Sequence, residues 1–171
     1  MKRAVPVLAM VLALTAMAPT AAGSSGQLTI DVQAAIASRD QERFRTAGTF
    51  TMSGLLADGG TAITAYRVAG TRVDATATLI GARGILTLGM RGALGGIVDD
   101  RQRAAGRWAV CGGTGPYRRL AGRGQWQSVA DIGAAPAGMM PPTVRGAFLG
   151  RVSRSSTRTP DGVPHRNDAR C

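Results

Sequence analysis

Hydrophobic and polar positions in this chain alternate in short runs, and a period of two is the mark of a strand with one buried face. The run from Arg72 to Ile80 is the cleanest, with Val73, Ala75, Ala77 and Leu79 set against Arg72, Asp74, Thr76 and Thr78. One face of that strand is buried and the other is wet. The same rhythm sets Phe50, Met52 and Leu56 against Thr49, Thr51 and Ser53. It also groups Thr64, Tyr66 and Val68 on one face of a strand from Thr61 to Val68, and turns Leu86, Leu88 and Met90 inward. Asp58-Gly59-Gly60, Ala69-Gly70 and Gly81-Ala82-Arg83-Gly84 separate these runs with turn residues. Ala93 to Ala105, rich in glycine and charge, reads as a loop. Further on, Trp126, Ser128, Ala130 and Ile132 alternate with Gln125, Gln127 and Asp131, and Val144, Phe148 and Val152 form a last strand. Gly146 and Gly150 share its inward face, where glycine marks sharp coiling or the close approach of another side chain. Near the start, Leu28, Ile30 and Val32 alternate, and residues 23–47 read as one strand followed by a polar connector or short helix from Gln33 to Arg45.

The densest glycine punctuation runs from Gly106 to Trp126, and it reads as strand, glycine turn, one helical turn and strand. Gly112, Gly113 and Gly115 allow the chain to reverse. Pro116 can open a short helical turn whose single face carries Tyr117 and Leu120. Gly122 falls where a helix C-terminus favours a left-handed residue, and Gly124 opens the strand that carries Trp126. The pattern Gly-Gly-Thr-Gly-x-Tyr-x-x-Leu-x-Gly-x-Gly at 112–124 resembles the signature hairpin of the allene oxide cyclase and dirigent superfamily. It is most similar to the small secreted bacterial branch, the allene oxide cyclase barrel-like proteins. The resemblance extends as strand rhythm over residues 48–152 and implies a single antiparallel β-barrel of about eight strands, an all-β fold. Gly113, Gly115, Tyr117, Leu120, Gly122 and Gly124 are its structural motif. The plant cyclases hold a water with polar groups in the barrel and polarise an epoxide with a carboxylate, but those motifs have no counterpart placed residue by residue here. Fold alone leaves the activity open.

The chain ends carry a different signal. Lys2 and Arg3 precede an apolar run from Ala4 to Ala18, and Thr20, Ala21, Ala22 and Gly23 follow, which is the order of a secretory signal peptide over residues 1–22. The run is shorter than the roughly 20 residues a membrane-spanning helix needs. Export without a membrane anchor is therefore expected. Gly133 to Pro142 holds three prolines and reads as a surface loop. Residues 153–171 lack periodicity and read as a disordered tail.

Charge changes the picture little. The net charge of +11 becomes +9 without Lys2 and Arg3, and the remaining basic residues are all arginine, dispersed with no run longer than Arg118-Arg119. Aromatic residues make up 4% of the chain, too few for a base-stacking platform, so specific nucleic-acid binding is not expected. His165 is the only histidine and sits in the tail, leaving a Ser-His-Asp triad or a histidine metal site without an ordered member. Asp99-Asp100 reads as a solvated turn without the ligand count of a calcium loop. Asp74 and Asp131 fall on outward faces. No cofactor or metal is implied. Cys111 and Cys171 are the only cysteines, and a bridge between them would have to dock the tail on the barrel, so the reading favours no bridge.

Three functions fit this pattern. The first is a barrel that binds a small apolar molecule among Phe50, Met52, Tyr66, Leu88, Trp126, Gly146 and Phe148. The second is a cyclase or isomerase of the kind the resemblance implies, and the third is a non-catalytic secreted structural or surface protein. The first ranks just ahead of the third, and the second comes last because an enzyme should aim an ionisable group inward and none is evident. Export itself is directly testable: mass spectrometry of protein from culture supernatant should find a new N-terminus between residues 21 and 26. A soluble cytosolic species that retains Met1 would contradict it.

Overall fold

The computed structural model describes residues 24–40, 42–131 and 143–154. Eight strands follow one another in the chain: β1 Ser25–Asp40, β2 Arg43–Gly54, β3 Asp58–Ala69, β4 Arg72–Gly81, β5 Gly84–Val98, β6 Arg101–Gly113, β7 Leu120–Asp131 and β8 Val144–Arg154. Each pairs antiparallel with the next and β8 pairs with β1, so the sheet closes into an up-and-down barrel. Closure leaves no edge strand exposed. The expected all-β barrel of about eight strands is present. The expected signal peptide over residues 1–22, the expected loop from Gly133 to Pro142 and the rest of the expected tail, residues 155–171, lie outside the described residues.

The alternation read from the sequence is the inside–outside code of this barrel. Leu28 and Ile30, Phe50 and Met52, Val73, Ala75, Ala77 and Leu79, Leu86, Leu88 and Met90, Trp108, Trp126, Phe148 and Val152 are all buried in one core. In two places the strands run further than the hydrophobic pattern indicates. The expected connector from Gln33 to Arg45 is the continuation of β1 and the start of β2, paired from Gln33 opposite Thr49 to Asp40 opposite Arg43. The expected loop from Ala93 to Ala105 is likewise a hairpin, in which Asp99 and Asp100 form the turn with φ of 50° and 57°. Two successive residues at positive φ match the twist of a tight hairpin. Inward positions here carry Ala34, Thr46, Leu94, Gln102 and Ala104, mostly small or polar. These hairpin ends make little demand on the core, so the ladder persists without a hydrophobic signature. The last strand also extends through Ser153 and Arg154, two residues into the expected tail.

Two indoles fill the centre. Trp108 is 1% exposed and its Nε1 donates to the Gln125 carbonyl at 2.9 Å, while the Trp126 Nε1 donates to the Arg91 carbonyl at 3.3 Å. Each ring lies where a glycine leaves room. A Cβ on Gly150 would meet Trp108 Cζ2 at 2.5 Å, and one on Gly92 would meet Trp126 Cζ2 at 2.8 Å. Of the two glycines on the inward face of β8, Gly150 is thus covered by Trp108, the close approach expected there, whereas a Cβ on Gly146 would meet nothing nearer than 3.7 Å. A pair of substitutions tests this packing. Gly124→Ala would place Cβ 2.1 Å from the Leu149 carbonyl oxygen, whereas at Gly146 the nearest atom is 3.7 Å away. Urea melts should show Gly124→Ala destabilised by about 1–3 kcal/mol and Gly146→Ala within about 1 kcal/mol of wild type.

Candidate functional site

The signature hairpin closes one end of the barrel. Gly113 ends β6, and residues Gly115–Tyr117 form a single 3₁₀ turn with Pro116 at its start. Gly115 is at φ 56°, the left-handed conformation the turn requires. Tyr117 and Leu120 then point into the core, 1% and 6% exposed. Gly122 and Gly124 differ from expectation. Both lie within β7, which begins at Leu120, and their glycine requirement comes from packing: a Cβ on Gly122 would sit 2.5 Å from Val152 Cγ1. The helical element is too short to reach Gly122 as its C-terminus.

The hydroxyl of Tyr117 reaches Asp58 on β3, to which it donates at 2.5 Å. That carboxylate also accepts from the amides of Gly59 at 2.8 Å, and of Ala82 and Arg83 at 3.2 Å each. Asp58 thereby ties together the β2–β3 turn, the β4–β5 turn and the signature hairpin. Gly81 makes room for it, since a Cβ there would meet Asp58 Oδ2 at 2.3 Å. Burial opposes ionisation of Asp58, but the hydrogen bond from Tyr117 and those from the three amides outweigh it and hold its pKa below the ordinary 3.8. Burial first, then the bond to Asp58 and its negative charge, push the Tyr117 pKa well above the ordinary 10.0. Among the described residues, the buried side-chain atom without a hydrogen-bond partner is Nε of Arg154, at the same end.

The lumen toward the opposite end holds the remaining inward polar groups. Tyr66 stacks on Phe44 with centroids 4.4 Å apart and planes 7° from parallel, and its hydroxyl is hydrogen-bonded with Thr64 and Thr46, both buried. Burial raises the Tyr66 pKa against the opposing effect of those hydroxyls. Beneath this cluster is a void of about 10 Å³, bounded by Tyr66, Trp126, Gly146 and Phe148 among others. That is room for about one water. The structure therefore brings four of the seven expected ligand-binding residues together. Phe50, Met52 and Leu88 do not border the void and are packed in the core. A larger and open concavity, about 920 Å³, is lined by residues of both faces, Asp31, Arg103 and Arg145 together with Phe50, Leu94 and Gly146 among them.

Sequence reasoning treated Asp58 only as a turn residue and passed over Thr46. Carrying the alternation back from Phe50 through Gly48 would have placed Thr46 and Phe44 inward. For Asp58 the single-sequence pattern offers no such signal. Among the described residues no three His, Cys, Asp or Glu side chains form a metal-binding group, and no helix is long and apolar enough to cross a membrane. Contrary to expectation, Cys111 is disulfide-bonded; Cys171 lies outside the described residues. No family model, curated protein or solved structure matches the chain.

The pH dependence of stability should carry the signature of the clamp. A lowered Asp58 pKa stabilises the fold above the ordinary value of 3.8, and that contribution is lost as pH falls through the folded-state pKa. A raised Tyr117 pKa contributes below 10.0 and is lost as pH climbs toward the folded-state value. Urea midpoints should therefore hold from about pH 4 to about pH 10 and decline on both sides. Tyr117→Phe should cost about 1–2 kcal/mol near neutrality and flatten the alkaline decline, leaving the part due to Tyr66.

Proposed function

We propose that the protein is an exported, non-catalytic barrel of the allene oxide cyclase and dirigent type that works through its outer surface. One observation carries this reading: the lumen is filled by its own side chains, with a void sized for about one water. An eight-stranded barrel is just wide enough for side chains to fill it or for one small ligand to replace them. Here Trp108 and Trp126 take that space by lying over Gly150 and Gly92. The closed up-and-down barrel and the signature hairpin sealing one end support the family assignment. On the inside, the Tyr66 hydroxyl is engaged by Thr46 and Thr64. The Asp58 carboxylate is engaged by Tyr117 and three amides. Both polar sets serve the barrel wall and leave no acid directed at a bound molecule.

A second reading, binding of a small apolar molecule in the barrel, is favoured by one feature, the void beside Gly146. A ligand there would have to displace Phe148 or Tyr66. Charged ligands would lose hydration without gaining a partner. Titration with an apolar fluorescent probe separates the two readings. The filled lumen predicts no saturable enhancement with the wild-type protein and a cooperatively folded Gly146→Ala variant that behaves the same. Stoichiometric probe binding that is lost in Gly146→Leu, with the fold retained, would establish the apolar-ligand reading.

A further inference from the structure

The arginines are dispersed along the sequence, but the register of the sheet gathers five of them. On the outer face Arg43 of β2 stands directly opposite Arg67 of β3, Arg67 opposite Asp74 of β4, Asp74 opposite Arg91 of β5, and Arg91 opposite Arg107 of β6. This is one unbroken transverse row across five strands, roughly 19 Å long at the usual strand spacing of about 4.8 Å. Arg72, two residues before Asp74 on the same face, joins it. Asp74 is the acid inside the row, held by Arg72 at 2.9 Å and Arg91 at 3.5 Å, and Asp40 of β1 stands opposite Arg43 at its β1 end. Arg67, Arg72, Asp74 and Arg91 line a shared surface concavity of about 460 Å³. Five guanidiniums against these two carboxylates leave three positive charges uncompensated.

Two of the cross-strand pairs, Arg43 with Arg67 and Arg91 with Arg107, set like charges face to face. Such pairs destabilise a sheet unless something negative lies between them. Guanidinium groups match the oxygens of sulfate and phosphate esters with paired hydrogen bonds. A linear polyanion laid along the row would therefore relieve the repulsion and gain directional contacts. The aromatic residues decide which polyanion. All seven of the chain's Phe, Trp and Tyr residues are in the barrel interior: Phe50, Trp108, Tyr117, Trp126 and Phe148 are buried, while Phe44 and Tyr66 stack on each other at inward positions. No ring stands beside the row to stack on a nucleobase, and stacking is a main source of affinity for single-stranded nucleic acids. We infer that the Arg43–Arg67–Asp74–Arg91–Arg107 row, with Arg72, is a binding surface for a sulfated or phosphorylated polysaccharide. The inference rests on the proposed outer-surface function and names its partner chemistry.

The test uses the full chain and a size-defined heparin oligosaccharide as probe, followed by calorimetry at about 0.15 M salt, where surface electrostatics are screened beyond about 8 Å. Arg67→Gln/Arg107→Gln should weaken binding at least about tenfold, the equivalent of one charge-assisted contact. Arg123→Gln/Arg151→Gln removes the same charge from the β7–β8 pair, off the row, and should change affinity less than about threefold. In the absence of oligosaccharide at low salt, Arg107→Gln should melt no lower than wild type, because it removes a like-charge pair. Equal losses in the two double variants would show that only net charge is sensed and would overturn the inference. Failure of heparin to bind would overturn it as well. A single-stranded oligonucleotide that binds as tightly as heparin and responds to the same double variant would assign the row to nucleic acid instead. None of these outcomes bears on the apolar probe, so loss of the polyanion site and loss of the filled-lumen reading remain distinguishable.

Discussion

The volume inside a closed barrel is fixed by its strand number and stagger, and every inward side chain must share it. In this protein the constraint is met by pairing the largest residues with the smallest. Trp108 lies over Gly150 and Trp126 over Gly92, so neither indole forces the strands apart. Trp126 also stands opposite Gly106, and Trp108 opposite Gly124, in the β6–β7 register. The two rings therefore face glycine backbone on adjacent strands. Burying two indoles supplies a large part of the apolar core, and their Nε1–H groups find carbonyls on neighbouring strands, which avoids the penalty of an unpaired buried donor. What this packing leaves among the buried residues is close to solid.

The Asp58 clamp solves a different problem at the end of the barrel. A lumen filled with indoles needs a closure that keeps water out, yet the turns around the rim present amides that require acceptors. One carboxylate satisfies three of them from two turns and takes the Tyr117 hydroxyl as its fourth donor. The buried face of Tyr117 meanwhile packs on the core, so its ring seals the lumen and its hydroxyl locks the rim. Gly115 at positive φ and Pro116 aim that ring. The signature hairpin is thus a plug whose polar tip anchors two other hairpins.

How far the sequence could be read follows from the same physics. Where a strand borders the filled lumen, the core demands apolar side chains at every second position, and Val73 to Leu79 or Leu86 to Met90 show it plainly. Where a hairpin continues beyond the core, as at Gln33–Arg45 and Ala93–Ala105, the backbone ladder alone maintains the strand and the side chains are free of that demand. The pattern therefore fades before the strand ends. Glycine is ambiguous for a related reason. At 115 it answers a backbone angle, but at 122 and 124 it answers a neighbouring strand's atoms, and one sequence cannot separate the two. Likewise Gly150 and Gly146 look equivalent in the chain; only the position of the Trp108 ring distinguishes a filled gap from an open one.

The outer face shows the complement of that argument. In an antiparallel meander, residues far apart in sequence come to lie side by side whenever their distances from the shared turn are equal. Arg43, Arg67, Arg91 and Arg107 meet in this way, although each looks isolated in the sequence. A dispersed set of arginines is usually taken as a solvated surface, and most exposed ion pairs contribute little. Direct opposition is different, because two like charges on neighbouring strands cannot move apart without twisting side chains off the sheet. Asp74 offsets part of the repulsion by holding Arg72 and Arg91, and Asp40 stands opposite Arg43, but Arg107 at the other end lies beyond Asp74's two ion pairs and faces Gln125 on β7. The sheet register therefore concentrates on the outer face a charge that the sequence distributes.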